Sequence, residues 1–214
     1  LIISGGTIDT DFALDFLKKE KYDHIIGVDG ALKFCKEQNI VPTRIVGDFD
    51  TLDPEILTWY QTHTQIEIRQ FNPVKDATDT QIAIELAMEL GSRKITLIGG
   101  TGTRLDHVLG NIQTLYLPFV KGIDCRIVDA HNRIRLVSGE LHLKMTEQWG
   151  KYVSLIPFTT DVEGVDLIGF KYPLEKFSFT VLGTGSRGVS NEIAEEEAVI
   201  RIEKGIMILV ESKD

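Results

Sequence analysis

Two carboxylates, two positions apart, are the first feature of this sequence that could do chemistry. They lie in the segment 44–51 (RIVGDFDT), directly after an apolar pair that predicts a strand. If the extended chain persists past Val46, Asp48 and Asp50 project to one side and Phe49 to the other. Carboxylates this close repel one another unless a cation lies between them or one takes a proton. Such oxygen ligands suit Mg²⁺, and the alternative is a solvated turn.

A second acidic motif, KDATDT, begins at Lys75 and leads into a predicted helix. Thr78, followed three residues later by Gln81, is typical of a capping box. Asp79 then lies in the first turn, where the helix dipole favours negative charge. Capping accounts for Thr78 and Asp79 but leaves Lys75 and Asp76 unexplained. Those two side chains could contribute to a metal and phosphate site.

A glycine-rich segment, GGTGTRLDH, begins at Gly99 between a predicted strand and a predicted helix. Glycines let the backbone approach a phosphate, and the free N–H groups of a helix start bind anions. Arg104 could add a bidentate phosphate contact. The spacing excludes a P-loop, and the alternative is a tight turn capped by Thr103. His107, beside Asp106, is by itself more typical of a structural histidine.

The elements that must position these motifs follow a regular pattern up to about residue 130. Short apolar runs alternate with helix-period stretches, as in a Rossmann-like parallel sheet with flanking helices. The predicted strands are 1–4, 24–28, 45–46, 66–69, 95–98 and 125–128, and the clearest predicted helices are 78–90 and 105–116. The second of these helices carries its apolar stripe on Val108, Leu109, Ile112 and Leu115. Ligands collect at the carboxyl ends of such strands, so all the motifs converge on one sheet edge.

Weaker signals of the same kind follow the first two predicted strands, at Ser4-Gly5-Gly6 and at Asp29-Gly30-Ala31. Each by itself favours a plain turn. Several strand ends with Gly or Asp on one edge are difficult to explain as turns alone. With the lysine, the arginine and the glycine loop, they predict a metal-dependent polyphosphate site.

After residue 130 the pattern changes to alternation, which predicts a second, all-β domain over 131–214. Residues 199–202 and 206–210 are both apolar, and Glu203-Lys204-Gly205 between them favours a hairpin.

The composition limits the partners and the compartment. The net charge of -9 disfavours a protein held to nucleic acid by a basic surface. The two cysteines, Cys35 and Cys125, indicate small buried side chains in a reducing compartment and not a disulfide framework. No apolar run is long enough to span a bilayer, so no membrane association is predicted, and a cytoplasmic location is expected.

Five motifs in order resemble the thiamin pyrophosphokinase family in its bacterial form. They are VGDFDT (46–51), KDATDT (75–80), GGTGTRLDH (99–107), GFKYPL (169–174) and GTGSRGVSNEI (183–193). The resemblance covers nearly the whole chain. Two departures stand out, because Thr51 replaces a usual serine and the glycine of Asp29-Gly30-Ala31 comes one place early. The second departure leaves the role of that loop open.

The resemblance implies a reaction, a fold and a set of residues. The family transfers pyrophosphate from ATP to the hydroxyl of thiamin with Mg²⁺, giving thiamin diphosphate and AMP. It joins an α/β nucleotide-binding and catalytic domain, here 1–130, to a β-sandwich, here 131–214. The sandwich contributes to thiamin binding and to a homodimer whose active sites lie between subunits. The match gives catalytic roles to Asp48, Asp50, Asp76 and Asp79, with Asp48, Asp50 and Asp79 as metal ligands. The nucleotide-binding residues would be Lys75, Thr78, Gly99, Gly100, Thr101, Arg104, Asp106 and His107. The thiamin-binding residues would be Ser190 and Asn191.

Two other functions fit the same acidic and glycine-rich motifs. One is a Mg²⁺-dependent nucleotide or phosphate-ester hydrolase, which uses water in place of an alcohol. The other is a sensor that binds thiamin or a nucleotide without turnover. The general base, if there is one, stays open among Asp76, Asp106 and His107.

Overall fold

The computed structural model describes residues 1–50, 52–72 and 77–214, and the chain divides into two compact units, Leu1–Ala130 and His131–Asp214. The first unit alternates strands and helices. Its strands are β1 (Ile2–Ile3), β2 (Ile26–Val28), β3 (Arg44–Gly47), β4 (Glu67–Gln70), β5 (Lys94–Ile98) and β6 (Asp124–Val128). Its helices are α1 (Thr10–Lys19), α2 (Ala31–Glu37), α3 (Pro54–His63), α4 (Asp79–Glu89), α5 (Leu105–Thr114) and α6 (Tyr116–Phe119). In the described ranges, these helices are all too short or too polar to cross a bilayer.

The six strands form a parallel sheet in the order β6-β5-β1-β2-β3-β4. The predicted α/β fold is therefore confirmed. Strand β1 lies between β2 and β5. The chain first adds β2, β3 and β4 on one side of β1 and then adds β5 and β6 on the other side, so the direction in which strands are added reverses at β1. In an open parallel sheet the crevice at such a reversal, outside the carboxyl ends of the strands, is the usual place for a ligand.

Apolar side chains of the strands and helices form the core of this unit. Ile3, Leu32, Ile45 and Ile98 are among the fully buried members of one cluster. Cys35 and Cys125 are free and buried, as predicted, and burial raises the pKa of each thiol to about 12.

Helix α5 turns a different face inward from the one its apolar residues predict. Leu109 is 64% exposed, whereas Asn111 is 7% exposed and Leu115 1% exposed. The Asn111 amide donates a hydrogen bond to a backbone carbonyl of the preceding loop, and this bond lies on the buried face. The predicted stripe was therefore wrong at Leu109, because a polar contact orients the helix.

The second unit is antiparallel throughout. Its strands are β7 (Asn132–Lys144), β8 (Tyr152–Pro157), β9 (Asp161–Ile168), β10 (Leu174–Thr180), β11 (Asn191–Glu192) and β12 (Glu197–Ser212). Strand β12 pairs with β7 over nearly its whole length. On its other side, β12 pairs first with β9 and then with β8. Two layers thus share β7 and β12 and enclose a core that includes Val165, Phe179 and Leu209, which confirms the predicted sandwich.

The predicted hairpin within 199–210 is wrong. Both halves of this segment belong to β12, and both pair with β7. Ile202 faces Gly139 and Met207 faces Val137, so the residues between Ile202 and Met207 form a bulge opposite one residue of β7. Gly205, with φ +100°, lies in this bulge. A glycine after two polar residues suits a bulge as well as a turn, and pairing with β7 decides between them.

Replacing Gly205 by alanine is expected to lower the free energy of unfolding by about 1–3 kcal/mol, because a non-glycine residue is strained at this φ. An added Cβ would also lie 2.7 Å from the Asp161 carbonyl oxygen. The matched control is Gly110→Ala in α5, where the added Cβ meets open space and helix propensity predicts a gain of up to about 1 kcal/mol. Urea denaturation of both variants measures the two changes. Equal effects of the two substitutions would contradict the bulge geometry.

A pH-dependent contribution to stability is expected at His142, whose ring lies between two carboxylates on the exposed face of β7 and β12. Nε2 is 3.0 Å from Glu140 Oε1, and Nδ1 is 3.2 Å from Glu197 Oε1. The hydrogen bond to Glu140, followed by that to Glu197, raises the pKa of His142 above its ordinary value of 6.5. A raised pKa in the folded state means that the folded protein binds the proton more tightly. The stabilisation is therefore complete below about pH 6.5 and is lost as the pH rises through the raised pKa.

Calorimetry of His142→Gln is expected to show a smaller decline in melting temperature from acid to alkaline pH than the unmodified protein. An NMR titration of the His142 ring tests the cause directly. A midpoint at or below about 6.5 would contradict the prediction.

Candidate functional site

A cavity of about 770 Å³ opens at the carboxyl edge of the parallel sheet. Its walls are the loops that follow β1, β2, β3 and β5, together with the first turns of α4 and α5. The residues that line it are Ser4, Gly5, Gly6, Thr7, Val28, Asp29, Asp48, Asp50, Ala77, Thr78, Asp79, Thr80, Gly99, Gly100, Thr101, Gly102, Thr103, Arg104, His107, Val108 and Asn111. The three predicted motifs of this unit therefore meet at one place.

Three carboxylates cluster in this cavity. Asp29, Asp48 and Asp50 each offer an oxygen, and these oxygens lie within 4.8 Å of one another. Two ligands on opposite sides of a Mg²⁺ ion are separated by about 4.2 Å, so the spacing and the all-oxygen donor set fit such an ion. Asp29 is a member that the sequence prediction of the metal ligands left out. Its position directly after a strand was the available signal.

The backbone around the acids departs from the extended form that the sequence predicted. Strand β3 ends at Gly47, and Phe49 adopts φ +61°. The Phe49 N–H donates to Asp29 Oδ1 at 3.1 Å, which bends the chain there. The Asp50 N–H donates to Asp48 Oδ1 at 3.3 Å. The two carboxylates still converge, but they do so through a turn anchored by the buried Phe49 ring.

The start of α4 forms another wall of the cavity. Thr78 caps the helix by accepting a hydrogen bond from the Gln81 N–H at 3.2 Å, as predicted. The Gln81 side-chain nitrogen donates to Glu85, one turn further along the helix, which is separate from the reciprocal half of the predicted capping box. Asp79 lines the cavity from the first turn, outside the three-acid cluster. The predicted site residues Lys75 and Asp76 lie outside the described residues.

Two hydroxyl contacts connect the elements around the cavity. One joins the loop after β1 to α4, and the other joins the glycine loop to the residue that follows β6. Ser4 and Thr80 are buried, and their hydroxyl oxygens lie 2.7 Å apart. Thr101 Oγ1 donates to Asp129 Oδ2 at 2.8 Å. Sequence reasoning missed these supports, although Asp129 follows β6 directly, as other site acids follow their strands.

The glycine loop continues the sheet pattern beyond the strands. The Ser4, Gly6 and Thr7 N–H groups donate to the carbonyls of Ile98, Gly99 and Thr101, each at 2.9 Å. A Cβ on Gly99, whose φ is +67°, would come within 2.2 Å of the Ser4 carbonyl oxygen, so only glycine fits there. The two loops are therefore held edge to edge at the floor of the cavity.

Helix α5 begins at the cavity without a side-chain cap. Its N-cap position is Arg104, so the alternative of a turn capped by Thr103 is wrong. The first N–H groups of an α-helix have no partner within the helix and carry partial positive charge. An anion in the cavity would lie beside them.

Arg104 and His107 line the cavity, and Asp106 orients the arginine. Arg104 Nη2 donates to Asp106 Oδ2 at 2.5 Å, and Nε donates to Oδ1 at 3.3 Å. The hydrogen bond from Arg104 holds the pKa of the Asp106 carboxyl below its usual range. Both side chains are largely exposed, so they can rearrange around a ligand.

The two later motifs of the resemblance, the second of which contains the predicted thiamin-binding residues Ser190 and Asn191, lie together in the second unit. Phe170 forms a β-bridge with Ile193, which joins the segment 169–174 to the segment 183–193. Asn191 is buried, and its side chain accepts from the Tyr172 N–H at 3.0 Å and donates to the Tyr172 carbonyl at 2.8 Å. Ser190 is exposed with φ +61°, and its N–H donates to Ser154 Oγ. Asn191 thus holds the backbone of Tyr172 in place, while the Ser190 side chain is exposed to solvent.

Comparison with known proteins matches both units of the chain to one family. Residues 9–127 match the family model described as thiamin pyrophosphokinase, catalytic domain, and residues 139–207 match the one described as thiamin pyrophosphokinase, vitamin B1 binding domain. A thiamine pyrophosphokinase of Bacillus subtilis is 34% identical over 195 residues, which cover 88% of this chain and 87% of that protein.

Solved structures agree over the full length. A crystal structure of thiamine pyrophosphokinase from Bacillus subtilis has a TM-score of 0.86 at 30% identity and covers 100% of this chain and 98% of its own. One of thiamin pyrophosphokinase from Geobacillus thermodenitrificans has a TM-score of 0.85 at 30% identity, with coverage of 100% and 96%. Because both family models match in chain order and the fold agrees throughout, the chain belongs to the thiamin pyrophosphokinase family.

Proposed function

We propose that this chain catalyses the Mg²⁺-dependent transfer of pyrophosphate from ATP to the hydroxyl of thiamin, giving thiamin diphosphate and AMP. Membership of the family supports the ATP-dependent transfer to thiamin. The observation that carries the proposal in the structure is the cavity itself. It combines three clustered carboxylates, a glycine loop and an uncapped helix start at one sheet edge.

Asp29, Asp48 and Asp50 are proposed to hold Mg²⁺, with Asp79 from the first turn of α4 as a further ligand. Without a cation, a triphosphate would be repelled by these acids, since like charges at this separation disfavour one another. When bound, the ion neutralises phosphate charge and fixes phosphate oxygens in place.

The nucleotide is proposed to lie along the glycine loop and the start of α5. The backbone of Gly99, Gly100 and Thr101 approaches the phosphates, and Arg104 adds a charged donor with Asp106 as its support. His107 lies in the first turn of α5 and also lines the cavity. Lys75 and Thr78 are proposed to contact phosphate from the α4 side.

The chemistry needs placement and charge neutralisation more than a covalent nucleophile. The thiamin hydroxyl oxygen attacks the β-phosphorus, the bond from that phosphorus to the bridging oxygen of the α-phosphate breaks, and AMP leaves. The acceptor of the hydroxyl proton, if there is one, stays open among Asp76, Asp106 and His107.

The second unit is proposed to bind thiamin through Ser190, with Asn191 holding the neighbouring segment, and to take part in a homodimer with shared active sites. Mixing inactive Asp48→Asn and Ser190→Ala proteins tests this arrangement. If each active site takes residues from two subunits, mixed dimers recover about a quarter of the sites, whereas independent subunits recover none. The cytoplasmic location stays a prediction.

The primary experiment incubates the protein with ATP, Mg²⁺ and thiamin, with controls that omit thiamin or the metal. AMP and thiamin diphosphate in equal amounts, only when all three are supplied, are the expected products. Phosphate or ADP released without thiamin would indicate a hydrolase. Nucleotide binding without turnover would indicate a sensor.

A further inference from the structure

Three consecutive carbonyls of the glycine loop are each held by a donor from a different place in the first unit. The Gly99 carbonyl accepts from the Gly6 N–H and the Thr101 carbonyl from the Thr7 N–H, both at 2.9 Å. The Gly100 carbonyl accepts from Asn111 Nδ2 at 2.8 Å. The first two donors are backbone groups that any residue would supply. Asn111 is the side-chain donor of this set.

Holding a carbonyl also sets the direction of the next N–H. The described peptide bonds are all trans, and in a trans peptide the C=O and the following N–H point in opposite directions. Fixing the Gly100 carbonyl toward the Asn111 side chain therefore turns the Thr101 N–H away from that side chain. In the same way, the held Gly99 carbonyl sets the direction of the Gly100 N–H, and the held Thr101 carbonyl sets that of the Gly102 N–H. Gly100, Thr101 and Gly102 all line the cavity.

The loop has little room to adopt another position. A Cβ on Gly100 would lie 2.8 Å from a Leu97 side-chain atom and 3.0 Å from an Ile127 side-chain atom, so the backbone rests directly on the sheet. Rotation of the peptide plane between Gly100 and Thr101 is the movement left to it. Asn111, only 7% exposed, opposes that rotation.

We propose that Asn111 is a positioning residue for the triphosphate, which directs the Thr101 N–H toward bound phosphate by holding the Gly100 carbonyl. In the observed orientation the Thr101 N–H can attract an anion. If the peptide rotated, the Gly100 carbonyl oxygen would take the place of that N–H and would repel the anion. This inference rests on the proposed function of the cavity as the ATP site. It also explains a polar residue on the inner face of an otherwise amphipathic helix.

The test compares Asn111→Leu, which keeps similar volume without a donor, with Asn111→Asp, which keeps the shape and replaces the donor by an acceptor. Loss of one oriented donor to a charged phosphate is expected to raise the KM for ATP about tenfold in both variants. The KM for thiamin is expected to change by less than about twofold, since Asn111 acts on the nucleotide loop alone. Calorimetric binding of Mg²⁺-ATP should weaken in parallel.

Thr43→Val is the matched control. The Thr43 hydroxyl bonds the Ile25 backbone at the opposite end of the sheet, so its loss removes a comparable internal hydrogen bond far from the cavity. It is expected to lower the melting temperature without changing the KM for ATP.

A lowered melting temperature with an unchanged KM for ATP in the Asn111 variants would overturn the inference. If the unmodified protein binds Mg²⁺-ATP but transfers no pyrophosphate, the proposed function fails, and ATP binding by the variants still decides the role of Asn111. If Asn111→Leu does not fold, Asn111→Ala, which also lacks the donor and adds no charge, carries the comparison.

Discussion

Replacing Asp48 with asparagine is expected to reduce pyrophosphate transfer about 1,000-fold, which corresponds to about 4 kcal/mol of lost charge stabilisation. Asp48 shares the cluster with Asp29 and Asp50, so its loss removes a ligand and a negative charge together. The measurement is the steady-state rate of AMP formation with ATP, thiamin and Mg²⁺.

The same substitution is not expected to damage the fold. Asparagine has nearly the shape of aspartate, and removing one negative charge adds no repulsion to a group whose carboxylate oxygens lie within 4.8 Å of one another. Its Oδ1 can still accept the hydrogen bond from the Asp50 N–H. The melting temperature in EDTA should therefore stay within about 3 °C of the unmodified protein or rise.

Binding of Mg²⁺-ATP can be measured without turnover, from the stability that it adds to the folded protein. Saturating Mg²⁺-ATP, at about 100 times its Kd, should stabilise the unmodified protein by about 2.7 kcal/mol, and Asp48→Asn should lose most of that gain. Asp15→Asn is the control, because Asp15 lies on the exposed side of α1 in an ion pair with Lys18. Full activity in a folded Asp48→Asn protein would refute the metal assignment.

Replacing Arg133 with methionine is expected to lower the free energy of unfolding by about 3–5 kcal/mol, because it leaves a buried charge without its partner. The Glu211 side chain is 0% exposed and that of Arg133 is 16% exposed. Arg133 Nε and Nη2 donate to the two Glu211 oxygens at 2.7 and 2.6 Å. The backbone N–H of Trp149 also donates to Glu211, and Arg133 Nη2 donates to the Glu147 carbonyl. The pair therefore connects β7, β12 and the segment 147–149.

The expected fall in melting temperature for Arg133→Met is roughly 6–20 °C in a chain of this size. Arg201→Met is the matched control, since Arg201 pairs with Glu140 across the same two strands but both side chains are about half exposed. Loss of such an exposed pair should cost at most about 1 kcal/mol. The double variant Arg133→Met with Glu211→Met should recover most of the loss, because it removes the buried charge itself. Equal effects of Arg133→Met and Arg201→Met would contradict the prediction.

Local sequence was sufficient for the features that depend on neighbours along the chain. The alternation of apolar runs and helical periods predicts a parallel sheet followed by an all-β unit, and the structure confirms both. The strand-end positions of Asp48 and Gly99 predict a shared edge, since parallel strands place all their carboxyl ends on one side. The Thr78 cap is likewise a local feature, which its hydroxyl and one nearby N–H complete.

Tertiary structure decided the features that depend on contacts distant in sequence. The apolar segments on either side of Gly205 have the same local pattern in a hairpin as in a bulged strand, and pairing with β7 selects the strand. Asp29 joins the acid cluster because β2 lies beside β3, and its hydrogen bond to the Phe49 N–H sets the turn that aims Asp48 and Asp50. Asn111 faces inward because a carbonyl eleven residues away needs a donor. Residue type and spacing thus determined which groups could do chemistry, whereas long-range pairing and buried hydrogen bonds determined how those groups are aimed.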